Sequence, residues 1–190
     1  MFTLSQAGFA EQTITKSRFI AMAVHTEDER TVGAALRAFA NQHQNAHHLV
    51  YAFRVKTEQG TIQRFSDAGE PSGTAGMPVL KLIEGRDLIN VCVAVIRYYG
   101  GINLGTGGLA RAYGGTAKLA LDTAIIKPFV EMQTFSLTID YKQMDTVTRL
   151  LSKCNGSIIT KAFNQQIDLV LSLPTNEVSG FIGRFQSYGE

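Results

Sequence analysis

The sequence predicts an α+β fold in two parts, residues 1–127 and residues 128–190, and three observations predict it. Apolar, β-branched runs suited to strands, such as Val91–Tyr99 (VCVAVIRYY), alternate with stretches whose apolar residues recur at helical spacing. Glycine usage collapses beyond Lys127-Pro128: 14 of the 18 glycines lie before Pro128, which marks a change of architecture at that point. Hydrophobic residues make up 45% of the chain and charged residues 18%, a balance that buries a core and lies outside the range of disordered chains.

Taken in order, Arg18–His25 (RFIAMAVH) reads as a strand. Thr26-Glu27-Asp28-Glu29 has the spacing of a capping box, and Val32, Ala35, Leu36, Phe39 and Ala40 continue from it as a helix. His48–Lys56 and Gly60–Phe65 read as two strands joined in a hairpin near Glu58-Gln59-Gly60. Asp67–Gly76 (DAGEPSGTAG) holds three glycines and a proline in ten residues and is a shaped loop. Met77–Glu84 is a short helix, with Pro78 tolerated in its first turn and Gly85 at its end. Val91–Tyr99 is a central strand.

Gly100–Gly108 is a second glycine-rich loop leading into a longer helix, whose Leu109, Ala112, Tyr113, Thr116, Ala117 and Ala120 share one face. Gly114 and Gly115 inside it each cost about 1 kcal/mol relative to alanine, so a close neighbour is expected there. Beyond Pro128 come a strand (Thr134–Tyr141), a helix around Met144–Leu151, two strands (Ser157–Phe163 and Gln166–Leu173) and a last helix capped by Thr175. That order is βαββα; a ferredoxin-like unit adds a final strand, so a strand is expected to be missing or the chain cut short.

Composition excludes several classes. No apolar run approaches the roughly 18 residues of a membrane span, and the first residues lack a basic segment followed by an apolar one, so no membrane partner and a cytoplasmic setting are expected. Cys92 and Cys154 make no disulfide framework and read as small buried hydrophobes in a reducing compartment. The formal net charge of +2 divides as +3 for residues 1–127 (13 Lys+Arg, 10 Asp+Glu) and −1 for 128–190 (5 and 6). Neither is the balance of a dedicated duplex-DNA binder, so an anionic partner has to meet a local patch.

That patch is sought on the glycine loops. Gly100, Gly101, Gly105, Gly107 and Gly108, with Thr106, lie between a strand and a helix start, where backbone amides point at anions; Arg97 and Arg111 bracket them as candidate phosphate contacts. The same glycines equally serve tight turns and close packing. The pattern is neither a Walker A loop nor a dinucleotide fingerprint, and no cofactor is expected. On the Asp67 loop, Asp67, Glu70, Ser72 and Thr74 are an accessory set that either holds a cation or moves protons, or simply bonds nearby amides as turn and cap residues. His43, His47 and His48 do not form a convincing zinc set, since His47 and His48 point opposite ways on a strand; His47 and His48 are instead expected near the loops. Tyr98, Tyr99 and Tyr113 are candidates for stacking on nucleobases. No cysteine or serine has the surroundings of a nucleophile, and no catalytic residue is assigned.

These stretches carry a resemblance. Asp67–Gly76 and Val95–Gly114 (VIRYYGGINLGTGGLARAYG), with Arg-Tyr-Tyr-Gly-Gly at 97–101, resemble the two signature segments of the YigZ/IMPACT family, and Lys16-Ser-Arg-Phe19 and Ala46-His-His48 fit the same pattern. The resemblance implies an N-terminal domain of the ribosomal protein S5 domain 2-like type and a smaller ferredoxin-like domain similar to the C-terminal domain of elongation factor G. It also implies a translational setting, since eukaryotic relatives regulate translation by binding the ribosome-associated activator of a stress kinase. The leading expectation is therefore a non-catalytic binding protein for RNA, the ribosome or a translation factor. An enzyme that binds a phosphorylated small molecule on Gly100–Gly108 and a protein-docking regulator are the alternatives.

Overall fold

The computed structural model describes residues 1–186, and the chain forms two compact units that divide between Phe129 and Val130. The fold is α+β. The first unit runs β1 (Phe2–Gln6), β2 (Gly8–Ile14), β3 (Ser17–His25), α1 (Glu29–Gln42), β4 (His48–Thr57), β5 (Gly60–Ser66), α2 (Gly76–Gly85), β6 (Val91–Tyr98), α3 (Gly105–Thr123) and β7 (Ile125–Pro128). Five of these strands make one antiparallel sheet in the order β2-β3-β6-β4-β5, with β6 at its centre.

An antiparallel sheet with one wet face shows alternating polarity, but β6 is apolar on both sides because helices cover both faces. Its Val91, Val93 and Val95 pack with Phe19 of β3 and with Leu109, Tyr113 and Ala117 of α3, beside Val79 and Ile83 of α2. Its Ala94 and Ile96 meet Phe39 of α1, and its Cys92 meets Val32 of the same helix. Burial of this kind contributes about 25 cal/mol per Å² of apolar surface removed from water.

Several sequence expectations need correction. The cap of α1 is Asp28, not Thr26: Asp28 Oδ1 accepts from the Thr31 amide at 2.7 Å and Thr31 Oγ1 accepts from the Asp28 amide at 3.1 Å. Thr26 is buried instead, its amide donating to the Asn90 carbonyl. β1, β2 and β7 were not expected; β1 and β7 pair antiparallel as a separate two-stranded ribbon, so Lys127-Pro128 lies within a strand. Gly114 and Gly115 are not crowded. An added Cβ meets its nearest atoms at 3.6 Å and 3.5 Å, which is ordinary contact.

The second unit runs β8 (Met132–Ile139), a 3₁₀ turn at Tyr141–Gln143, α4 (Met144–Lys153), β9 (Ser157–Phe163), β10 (Ile167–Pro174), a 3₁₀ turn at Thr175–Glu177 and α5 (Val178–Gln186). The sheet order is β8-β10-β9, antiparallel throughout. Its core joins Leu169 and Leu171 of β10 to Val147, Leu150 and Leu151 of α4 and Phe181 of α5. Thr175 does not cap α5; it sits in the preceding turn, and its hydroxyl donates to the Glu131 carbonyl. The final strand of a ferredoxin-like order concerns the chain beyond Gln186, outside the described residues.

Candidate functional site

The loop between β5 and α2 is organised by one carboxylate. Asp67 Oδ2 accepts from the Gly73 amide at 2.8 Å, and Oδ1 accepts from Ala75 at 3.0 Å and from Gly76, the first residue of α2, at 2.7 Å. Burial pushes the Asp67 carboxyl up, but these three amides outweigh it and hold it below its ordinary value. Thr74 Oγ1 donates to the Pro71 carbonyl at 2.6 Å, while Ser72 stays exposed. The loop is thus wound on itself and turns Glu70 inward.

Glu70 serves quite different partners from Asp67, so the two carboxylates do not act as a pair. Its Oε1 accepts from Arg97 Nη1 at 2.7 Å and from the Tyr113 hydroxyl at 2.7 Å, and His48 Nε2 stands 3.8 Å away. The Glu70 and Arg97 side chains are 6% and 5% exposed. His48 Nδ1 lies 2.9 Å from the Ala68 carbonyl, which only accepts, so that nitrogen carries a proton and ties β4 to the loop.

Arg97 is therefore not the free phosphate contact expected of it. Besides Glu70 it donates to Ser17 Oγ at 3.2 Å, and its guanidinium lies 5.5 Å and 5.1 Å from the ring centres of Phe19 and Tyr99. Tyr113 is not available for stacking either. It is fully buried edge-on against Phe19, and burial, with the Glu70 carboxylate beside it, pushes its phenol well above the ordinary tyrosine value. Tyr98 is half-buried, its hydroxyl 3.0 Å from His43 Nδ1. Tyr99 alone of the three keeps a large exposed surface, 39%, and its hydroxyl donates to Asn103 Oδ1. His47 Nδ1 accepts from the Tyr99 amide at 3.2 Å, which places that neutral ring's proton on Nε2.

The glycine segment is shorter than expected, because α3 begins at Gly105. Gly100 is structural: an added Cβ falls 2.1 Å from the carbonyl of Lys16, and the Gly100 amide donates to Ser17 Oγ. Gly105 has φ +69° at the turn into the helix, a conformation that costs glycine little. No side chain caps this helix start, and Gly101, Gly105, Thr106 and Gly107 are exposed while Gly108 is half-buried. Arg111, one turn in, is exposed, and so is Lys16 on the turn between β2 and β3; among the described residues neither has an ion-pair partner.

Two hollows flank Leu104. One, of about 340 Å³, is lined by Glu70, Pro71, Arg97, Asn103, Gly105 and Thr106. The other, of about 330 Å³, is lined by Gln12, Thr15, Gly108, Arg111 and Gly115. Arg97 and Arg111 thus serve separate hollows rather than one anion site. Lys118, farther along α3, is paired with Asp122 at 2.6 Å. Cys92 is no nucleophile, since burial pushes its thiol up to about 12. Sequence reasoning missed Ser17, Phe19 and Asn103 as site-builders; Ser17 meets Arg97 across 80 residues, which leaves no local signal, whereas Asn103 meets Tyr99 only four residues away.

Known proteins bear out the resemblance. The model of the Impact N-terminal domain matches residues 15–121. IMPACT family member YigZ of Escherichia coli is 34% identical over 178 residues, covering 93% of this chain and 87% of that protein. A solved structure described as a hypothetical protein superposes with a TM-score of 0.76 at 32% identity, over 98% of this chain and 91% of that one. Another, titled as the two-domain translational regulator Yih1, covers 63% of this chain and 48% of that one at 26% identity and a TM-score of 0.43. With a matched domain that holds both glycine-rich loops and the Glu70–Arg97 pair, and a relative aligned over most of both chains, this chain belongs to the IMPACT family.

Proposed function

We propose that this chain is a binding protein that engages RNA, in a translational setting, through the exposed face around the start of α3. One observation carries the reading: Lys16 and Arg111, exposed and without ion-pair partners among the described residues, lie beside a helix start whose amides no side chain caps. Uncapped amides and the positive end of the helix favour phosphate, and free cations release counterions when they meet a nucleic-acid backbone. The translational setting is what membership of the family adds.

The chemistry favours binding over catalysis. The Asp67 carboxyl, held below its ordinary value by three amides, is a poor proton acceptor near neutral pH, and Glu70 is committed to Arg97 and Tyr113. The test is fluorescence anisotropy with labelled RNA across a range of salt. Affinity that falls steeply with salt supports the reading; RNA binding indifferent to salt overturns the phosphate contacts it rests on, and no binding at low salt overturns the reading.

A further inference from the structure

We propose that the open edge of β8 pairs antiparallel with β8 of a second copy of this chain, so that the two sheets join into one. β8 ends the order β8-β10-β9, and among the described residues no strand lies on its other side. A sheet edge presents unpaired amides and carbonyls, and proteins blunt such edges with charges, prolines or bulges. The other edges of the three- and five-stranded sheets are blunted in this way. β2 carries Glu11, and the Thr123 hydroxyl bonds both the amide and the carbonyl of Phe9 on it. β5 carries Arg64, held to Glu29 at 2.8 Å. β9 carries Lys161 and an irregular register against β10. β8 (MQTFSLTI) has no charge and no proline, and its register against β10 runs unbroken from Met132 to Ile139.

The occupant of a strand edge is another strand, and the pattern of β8 suits its own copy. A two-fold axis sets the same strand against itself, so like charges near the axis repel; β8 brings none. About Ser136, residues 134–138 (TFSLT) show the same alternation of hydroxyl and apolar side chains in both directions. Antiparallel pairing centred there sets Phe135 opposite Leu137 of the second copy on the core side of the sheet. On the other side it sets Thr134 opposite Thr138, and apolar and Thr–Thr pairs both stabilise neighbouring strands. Phe135 and Leu137 pack against the core of this unit yet are only half-buried, while Thr134, Ser136 and Thr138 are exposed. The flank of β8 is thus open, and a second β8 covers apolar surface there as well as the free backbone groups.

The experiment measures the molar mass of the whole chain by light scattering across a wide range of concentration. The unaltered chain is expected to pass from monomer to dimer as concentration rises. Ser136→Lys and Ser136→Glu each set like charges across the axis and are expected to weaken dimerisation at least about tenfold. Position 136 is exposed, so both variants keep the circular dichroism of the parent. An equal mixture of the two sets Lys against Glu and is expected to restore the dimer. A chain that stays monomeric at every concentration overturns the pairing; slow exchange of the β8 amides in that monomer shows that the chain covers its own edge. A dimer unaffected by either charge overturns the location at β8. Folded charged variants that remain monomeric when mixed overturn the axis at Ser136.

Discussion

Arg97 and Glu70 form a buried ion pair, Nη1 to Oε1 at 2.7 Å, that joins the end of β6 to the loop between β5 and α2 across 27 residues of sequence. Tyr113 of α3 donates to the same oxygen, so one carboxylate gathers a loop, a strand and a helix. A pair taken out of water stays favourable only with full partnering, and removal of one member strands the other's charge. Arg97→Met is therefore expected to lower unfolding free energy by about 3–5 kcal/mol, read from urea denaturation. A loss under 1 kcal/mol shows that the pair does not hold the loops together.

Arg111 is the opposite case, an exposed cation with no ion-pair partner among the described residues. Arg111→Ala is expected to leave stability within about 0.5 kcal/mol of the parent. It is also expected to weaken RNA binding and lower the slope of log affinity against log salt by about one. Unchanged affinity and slope in a folded variant remove Arg111 from the interface.

Asp67 links stability to pH. Its folded carboxyl lies below its unfolded value, so its stabilisation is present above the ordinary carboxylate range and is lost as pH falls through the folded value. Asp67→Ala, which strips three amides of their acceptor, is expected to cost about 2 kcal/mol at pH 7 and less in acid. Thermal melts of both proteins at pH 7 and pH 3 check this, and a difference that does not shrink in acid contradicts it.

Two glycines separate close approach from ordinary contact. Gly100→Ala places a methyl 2.1 Å from the Lys16 carbonyl and is expected to destabilise by about 1–3 kcal/mol. Gly115→Ala meets Gln12 Nε2 at an ordinary 3.5 Å inside α3 and is expected to stabilise by about 0.5–1 kcal/mol. Melting temperatures moving in opposite directions confirm the contrast, and a shared direction denies it.

What the sequence revealed and what it hid follow from the range of the interactions. β6 was legible because burial on both faces left an unbroken apolar run, and the amphipathic faces of α1 and α4 were legible as helical spacing. β2 was missed because its polar residues, Glu11, Gln12 and Thr13, belong to an edge strand that faces solvent on one side. The Asp67 turn was readable as one of two alternatives because an Asx-type cap is local chemistry. The reversal at Arg97, from a phosphate contact to a buried partner of Glu70, was not readable, since nothing near position 97 records a carboxylate arriving from position 70.

The most direct test of the RNA reading is a map of backbone amide shifts by NMR as RNA is added. The expected result is perturbation concentrated at Thr15, Lys16 and Gly101–Arg111, with β5 unmoved. Shifts centred on β5, with the α3 start unchanged, contradict an RNA interface at this helix.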